Sequence, residues 1–586
     1  MLKKKTSIKP LNSVIIFALA LFLNHPGLSQ GLIISPGTSL VGSGGNIVLI
    51  GDAVNDGYVS NNNNTVIFSG TTQWLSGSTP VLFNNLIVAS GSTTSILTPG
   101  HTLSGILLSN GILNSNGNMT LLSTVTQTAL IDGSGIGGVF GDVTMQRYLS
   151  SGFGYKYFSS PFQVATVGEF GDDMDLTAPF AAFYRYDEGR TTSGWVSWSN
   201  PSWVLNPMWG YAVNFGSSPD ANTVDVTGIV NNGSRSLTLY NNNNLYTKGF
   251  NLIGNPYPSP IDWNAPYGWT KANIDDALYY FESSTTDQYG GTYKTYMNGI
   301  SSDGFATNII PSMQGFFVHV SDGAWPVTGI LSMNNDVRIN NLAHPFIKSD
   351  VKGEKPHLRL VSGYSDDSTS FDPLVVYFDE KATYNFDGQL DALKLFNTDE
   401  KVTNFYSFGD DGYRLSINAL PVTDEDLCTV RLGIKTDRDG EVVFKIGKLE
   451  GDILYNTIYL SDIITGSRQE LQSGKQYKIN LIADHYQNRF YLNLSRNITD
   501  IPDLPSIEDW IKIYAVKGIL KVDIRLQSLK SGTIQISSLL GKTLVFYKIF
   551  EPGNYKFNPG LKPGIYIVTF NYDKKSISEK LFFESQ

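Results

Sequence analysis

From Gly31 to Phe140 the chain has no Lys, Arg or Glu, and its only acids are Asp52, Asp56 and Asp132. A segment that long without ion pairs must be held by backbone ladders, aliphatic packing and polar turns. Short β-favouring runs recur at Asn46-Ile50, Thr65-Ser69, Leu86-Ser90, Leu103-Ser109 and Met119-Ser123, separated by turn formers such as Asn61 to Asn64 and Asn114 to Gly117. A spacing of about 15 to 20 residues suits the coils of a β-solenoid, where uncharged rungs stack on one another. A conventional β-sandwich accounts for the same alternation. The short runs and uniformly polar turns make the solenoid the expectation for residues 31–146.

The full 586 residues demand several domains. With 16% charged and 12% aromatic residues, and 57 glycines, the composition is that of packed, turn-rich β-structure. The net charge is −10, so the overall field opposes nucleic-acid binding. A single cysteine, Cys428, excludes an intramolecular disulfide framework and any Cys-based zinc site. Residues 1–30 read as a secretory leader: Lys3 to Lys5 precede the apolar run Val14 to Leu23, which Pro26-Gly27 breaks before small residues. That run is about half a membrane-spanning helix, and no later segment is long enough to form one.

Residues 147–330 are aromatic-rich and duplicated. Ser159-Ser160-Pro161 is echoed by Gly254-Asn255-Pro256, and Ala182-Phe183-Tyr184-Arg185-Tyr186-Asp187 by Ala277-Leu278-Tyr279-Tyr280-Phe281-Glu282, both 95 positions on. Pro207-Met208-Trp209-Gly210-Tyr211-Ala212-Val213 returns as Ser312-Met313-Gln314-Gly315-Phe316-Phe317-Val318, now 105 on, so the second copy carries an insertion. Two related β-rich halves should therefore pack on each other. After a linker at 331–354, residues 355–499 alternate as a β-sandwich or jelly roll, with one short helical candidate at Gln389 to Leu395. A proline-punctuated linker at 500–509 leads to a small Ig-like sandwich at 510–586. The fold class is all-β and multidomain.

Catalytic motifs fail on context. Gly133-Ser134-Gly135-Ile136-Gly137-Gly138 fits GxGxxG but precedes a strand, where a dinucleotide site needs a helix. Gly541-Lys542-Thr543 reads as a hairpin turn, because the glycine a phosphate loop requires upstream is Ile536. His101, His319, His344, His357 and His485 include no pair at metal-binding spacing, and His485 beside Asp484 lacks a nucleophile elbow. Cys428 falls inside a strand run, as a buried inert thiol would. Asp172, Asp173 and Asp175 share a Gly-flanked loop, and Asp437 and Asp439 have the spacing that opens calcium loops; both groups are Ca²⁺ candidates against a background of solvated turn acids. Otherwise no cofactor is expected. Trp195, Trp198, Trp203, Trp209, Trp263 and Trp269 crowd the duplicated region, and aromatic faces stack on sugar rings. Trp195 and Trp198, in the polar stretch Gly194 to Asn200, with Tyr184 and Tyr186, are the expected glycan contacts.

The tail carries a resemblance. Ile513-Tyr514, the Leu539-Leu540-Gly541-Lys542 turn, Leu561-Lys562-Pro563-Gly564-Ile565-Tyr566-Ile567-Val568 and a lysine-flanked last strand resemble the C-terminal sorting domain of type IX secretion cargo. Ala515-Val516-Lys517 stands where that family commonly has a proline-asparagine-proline run. Gly249 to Tyr257 with Gln314 to Val318, and Tyr377-Phe378 with Phe386 to Lys394, are similar to modules of large surface proteins exported by that route. The resemblance implies that residues 510–586 engage the type IX machinery, that the passenger ends outside the outer membrane, and that no catalytic residues carry over. Adhesion to surface glycans is the expected task. A polysaccharide-acting enzyme and a structural spacer are the rivals.

Overall fold

The computed structural model of the chain describes residues 31–178, 180, 182–343, 355–451, 453–496, 511–524, 531–551, 553–572 and 575–584. The expected leader at 1–30, the linker at 500–509 and His344 with the rest of the linker to 354 lie outside these. Among the described residues the chain is β-structure with short 3-10 turns and no α-helix. Its first part is a solenoid. Parallel pairing sets Ala53 beside Leu32 and Leu75 beside Ala53, so one coil takes about twenty residues. On a second face Ile47, Val66, Leu86, Leu107 and Ile131 form one ladder. Leu86 and Leu107 are wholly buried.

This geometry explains the missing charges. In a parallel stack a side chain lies about 4.8 Å from its neighbour on the next coil, close enough for like charges to repel. Amides tie the turns instead: Asn55 Nδ2 donates to the Thr79 carbonyl at 2.9 Å, and Asn116 and Asn118 both donate to the Ile96 carbonyl at 3.0 Å. The three aspartates sit at separate turns. Asp52 accepts the Trp74 N–H, Asp56 the N–H and hydroxyl of Ser78, and Asp132 the Ser134 N–H and the Asn340 amide.

The strand Asp142–Leu149 belongs to two units at once. It pairs in parallel with Met119–Leu121 of the solenoid and antiparallel along its full length with Asn222–Val230. It spans position 146, and one apolar core runs from the coils into Phe158, Phe162, Phe170 and Phe183. These aromatics close the coil stack, whose end would otherwise expose its core.

The two copies share a topology. The first has the strand order Tyr155–Phe158, Tyr211–Asn214, Phe183–Tyr186, Trp195–Ser197. The second has Phe250–Gly254, Gly315–His319, Leu278–Ser283, Gly291–Met297, with Ile300–Ser301 added. They meet about a pseudo-two-fold axis: Phe158 bridges Gln314, and their counterparts Ile253 and Trp209 bridge each other. Gly210 and Gly315 permit that approach. A Cβ on Gly210 would lie 2.6 Å from the Ile253 carbonyl oxygen, and one on Gly315 would lie 2.9 Å from that of Phe158.

Residues from 357 to 495 form a sheet of eleven strands curled around Leu374, Phe405, Leu432, Phe444 and Phe490. Its edge strands Ser467–Glu470 and Gln476–Leu481 come together where the Ser467 hydroxyl meets the Tyr477 hydroxyl at 3.1 Å. The outer side of its central strands, at Val375, Tyr377, Ile417 and Ala419, packs on both repeats through Tyr157, Phe250, Tyr279 and Phe317. The helical candidate at Gln389 to Leu395 is a turn followed by the strand Ala392–Leu393, which pairs with Arg414–Pro421. The segment latches the sandwich to the second repeat: the Asp276 N–H donates to the Gly388 carbonyl at 2.9 Å, and the Leu393 N–H to the Tyr279 hydroxyl at 2.9 Å.

The tail is a two-sheet sandwich. Ile511–Val516, Ile519–Ile524 and Gly553–Phe557 face Thr543–Ile549, Gly532–Ser538, Gly564–Tyr572 and Lys575–Phe583 across Leu520, Val522, Ile534, Val568 and Phe570. Lys517 and Gly518, both at positive φ, make the first hairpin.

Candidate ligand-binding surface

Most of the aromatic richness packs three layers together. Tyr157 stacks on Phe281 at 4.9 Å, and Phe317 meets Tyr186 edge-on at 4.9 Å. Trp263 is buried, its indole N–H donating to the Asp276 carbonyl at 2.8 Å, with the Lys271 ammonium 3.7 Å from its ring centre. Trp195, expected in a loop with a free face, lies in the strand Trp195–Ser197 opposite Tyr186. Its half-buried ring is hemmed in by Tyr157, Tyr186 and Phe317. Trp198 is half-buried 4.4 Å from Trp203, with the Arg185 guanidinium 5.1 Å over its ring, and its indole nitrogen is enclosed without a partner. Tyr186 is half-buried, and burial pushes its phenol above the ordinary range.

Tyr184 has a different setting. With Tyr155 it forms the base of a patch topped by Phe180 and Tyr289, which are 59% and 51% exposed. Phe180 and Tyr289 meet edge to face at 5.2 Å; Phe180 lies 6.4 Å from Tyr184, and Tyr289 lies 6.4 Å from Tyr155. The patch bridges the repeats, because Tyr289 belongs to the turn after Leu278–Ser283. Asp287 Oδ1 accepts the Tyr289 N–H at 2.9 Å, and the Asn214 amide donates to the Gln288 carbonyl at 3.2 Å. Exposed aromatic rings beside phenol hydroxyls are the chemistry that takes a sugar face. Sequence reasoning missed Phe180, Tyr155 and Tyr289. The turn formers Asp287 and Gly290 around Tyr289 were the available signal.

A family model, described as a domain of unknown function (DUF8693), matches residues 55–494. The chain belongs to that family. No curated protein matches it. The DUF8693 span runs from inside the solenoid to the last strand of the curled sheet, so the repeat pair and its aromatic patch lie within it.

The acids expected to hold Ca²⁺ do not converge. Asp175 Oδ1 accepts the Thr177 N–H at 2.8 Å and its hydroxyl at 2.7 Å, which holds this carboxyl below its ordinary range. Burial, helped by the neighbouring Asp172 and Asp225, lifts Asp173 to about 6. Asp437 takes the Lys435 ammonium, and Asp439 accepts the Ala483 N–H at 2.7 Å. Among the described residues no group of three His, Cys, Asp or Glu side chains is arranged to hold a metal ion. Cys428 is buried, and burial pushes its thiol up to about 12. Among the described residues no helix is long and apolar enough to cross a membrane.

Proposed function

We propose that this DUF8693 protein is an exported, non-enzymatic surface or released protein that binds glycans through the Phe180–Tyr289 patch. Residues 1–30 serve as its leader, and residues 510–586 as the element read by type IX secretion machinery. The observation that carries the binding role is the exposed edge-to-face pair set over Tyr184 and Tyr155. A sugar laid on such a pair gains apolar contact on one face and hydroxyl partners at its edge. The solenoid then acts as a stalk. Its three aspartates are bound at separate turns, which argues against the paired carboxylates of a polysaccharide hydrolase.

A glycan array with the purified chain tests the reading. Neutral glycans bound by the native protein should be lost on combined Phe180→Ala and Tyr289→Ala substitution, with the unfolding temperature kept. Undiminished binding by that variant overturns the site. Export is tested separately: a chain ending at residue 505 should stay inside the outer membrane of a type IX host, and its efficient release overturns the sorting role.

A further inference from the structure

The pseudo-two-fold is also broken at Glu188. In the first repeat Glu188, 4% exposed, reaches into the second, where its carboxylate accepts the N–H groups of Asn242 and Gly249 and the Thr247 hydroxyl. Its counterpart 95 residues on is Ser283, which reaches back to the first repeat. There the Lys156 ammonium donates to the Ser283 hydroxyl at 2.6 Å and to the Phe153 carbonyl at 2.6 Å. Where one side of the axis is closed by a buried carboxylate, the other opens into a cleft of about 610 Å³ between the repeats.

The cleft joins three cations, Arg147, Lys156 and Lys294, to apolar walls and a hydroxyl rim. Arg147, 5% exposed, and Lys156 line it together with Phe281, Phe305, Ser151 and Thr285. Its two carboxylates, Asp303 and Glu282, are outnumbered by these cations. Asp303 accepts from the Ser301 hydroxyl and the Phe305 and Ala306 N–H groups, and Glu282, 70% exposed, faces Lys294 at 3.7 Å. Burial lowers Lys156 to about 8, with Glu282 opposing the shift, and lowers Arg147 to about 10. Two desolvated cations in an acidic protein favour an anion that can displace their lost water. The volume lies within the range of about 300–1,000 Å³ typical of small-ligand sites.

We infer that this cleft takes an acidic saccharide, a hexuronate residue with its carboxylate at Lys156 and Arg147 and its ring between the aromatic walls and the Ser and Thr hydroxyls. The inference rests on the glycan-binding reading and names a second ligand class at a separate place.

Calorimetric titration of the full chain with a galacturonate trisaccharide, set against a neutral galactose trisaccharide, tests it. The acidic sugar should bind more tightly than the neutral one and weaken with added salt. Lys156→Met should cost at least tenfold in its affinity. Ser283→Glu, which copies the closed side, should abolish its binding. Neutral glycans selected on the array should still bind both variants. Where Ser283→Glu fails to fold, Lys156→Met decides. Equal affinity for the two trisaccharides, or acidic binding untouched by Lys156→Met, overturns the cleft. Neutral glycan binding with no acidic binding overturns the cleft alone, whereas silence toward every glycan overturns both sites.

Discussion

The Glu188 carboxylate of the first repeat accepts the backbone N–H of Asn242 in the second at 3.0 Å. The same side chain takes the Asn242 amide at 2.5 Å, and its backbone carbonyl accepts the Thr247 hydroxyl at 2.8 Å. One buried acid thus satisfies a whole turn. Glu188→Ala leaves the Asn242 and Gly249 donors without their carboxylate, at about 1–3 kcal/mol for the first and more for the set, while the Thr247 hydroxyl keeps the backbone carbonyl. A marked fall in unfolding temperature, with faster amide exchange at Asn242 and Gly249, is expected. Unchanged exchange there would show that the turn stands without it.

Gly210 and Gly315 face each other's repeat across the axis. Gly315→Ala should cost several times the ~1 kcal/mol typical of an ordinary glycine change, because backbone has to move. Gly210→Ala should do the same. The double variant should fall short of the sum, since each separates the same strands. Denaturation midpoints of the four proteins provide the cycle.

Lys394 and Asp372 form an ion pair at 2.5 Å, both side chains about 2% exposed or less. Asp372 also accepts the Phe405 N–H at 2.6 Å. Asp372→Ala strands a buried ammonium and should cost about 3–5 kcal/mol. Combining it with Lys394→Met should recover much of that loss. Equal stability of the single and double variants would refute the pair's role.

His101 accepts the Val81 N–H through Nδ1 at 2.9 Å, which requires a neutral ring, and burial lowers it to about 4. Burial, with Arg414 and Lys435 nearby, also lowers His485 to about 4. The unfolded chain therefore binds more protons than the folded one between about pH 6.5 and 4. Stability from these rings is complete above 6.5 and lost as pH falls toward 4, on the order of 2–3 kcal/mol for His101. Exchange of the Val81 amide should accelerate over that window and respond less to acid in His101→Gln.

The solenoid, the duplication and both sandwiches were legible because each leaves a long-range signature: missing charge, echoes in order, alternating runs. Even Gly210 and Gly315 appear in the echo, although only the packed pair shows that they admit the opposing strand. Trp195 was misread because Gly194, Ser197 and Ser199 make its surroundings look like a loop. Strand pairing with Tyr184 and Tyr186 turns its ring toward Phe317. The stretch from Gln389 looked helical for a local reason: the Leu390 and Asp391 N–H groups both donate to the Asp387 carbonyl, a single turn that then straightens into a strand. Phe180 and Tyr289 were missed, although Asp287 and Gly290 mark a turn around Tyr289, because their exposure depends on how the halves meet.

The coil stack has a consequence of its own. Apart from the last, whose Ile131 and Asp132 accept from Arg338 and Asn340, each coil rests on the ones before and after it, and none bears a side-chain charge pair that would fix its rank. Adding or deleting one turn of about twenty residues would alter the span by about 4.8 Å and leave the repeats untouched. The length of the stack and the surface of the repeat pair can therefore vary independently, the first by counting rungs and the second by changing a few side chains.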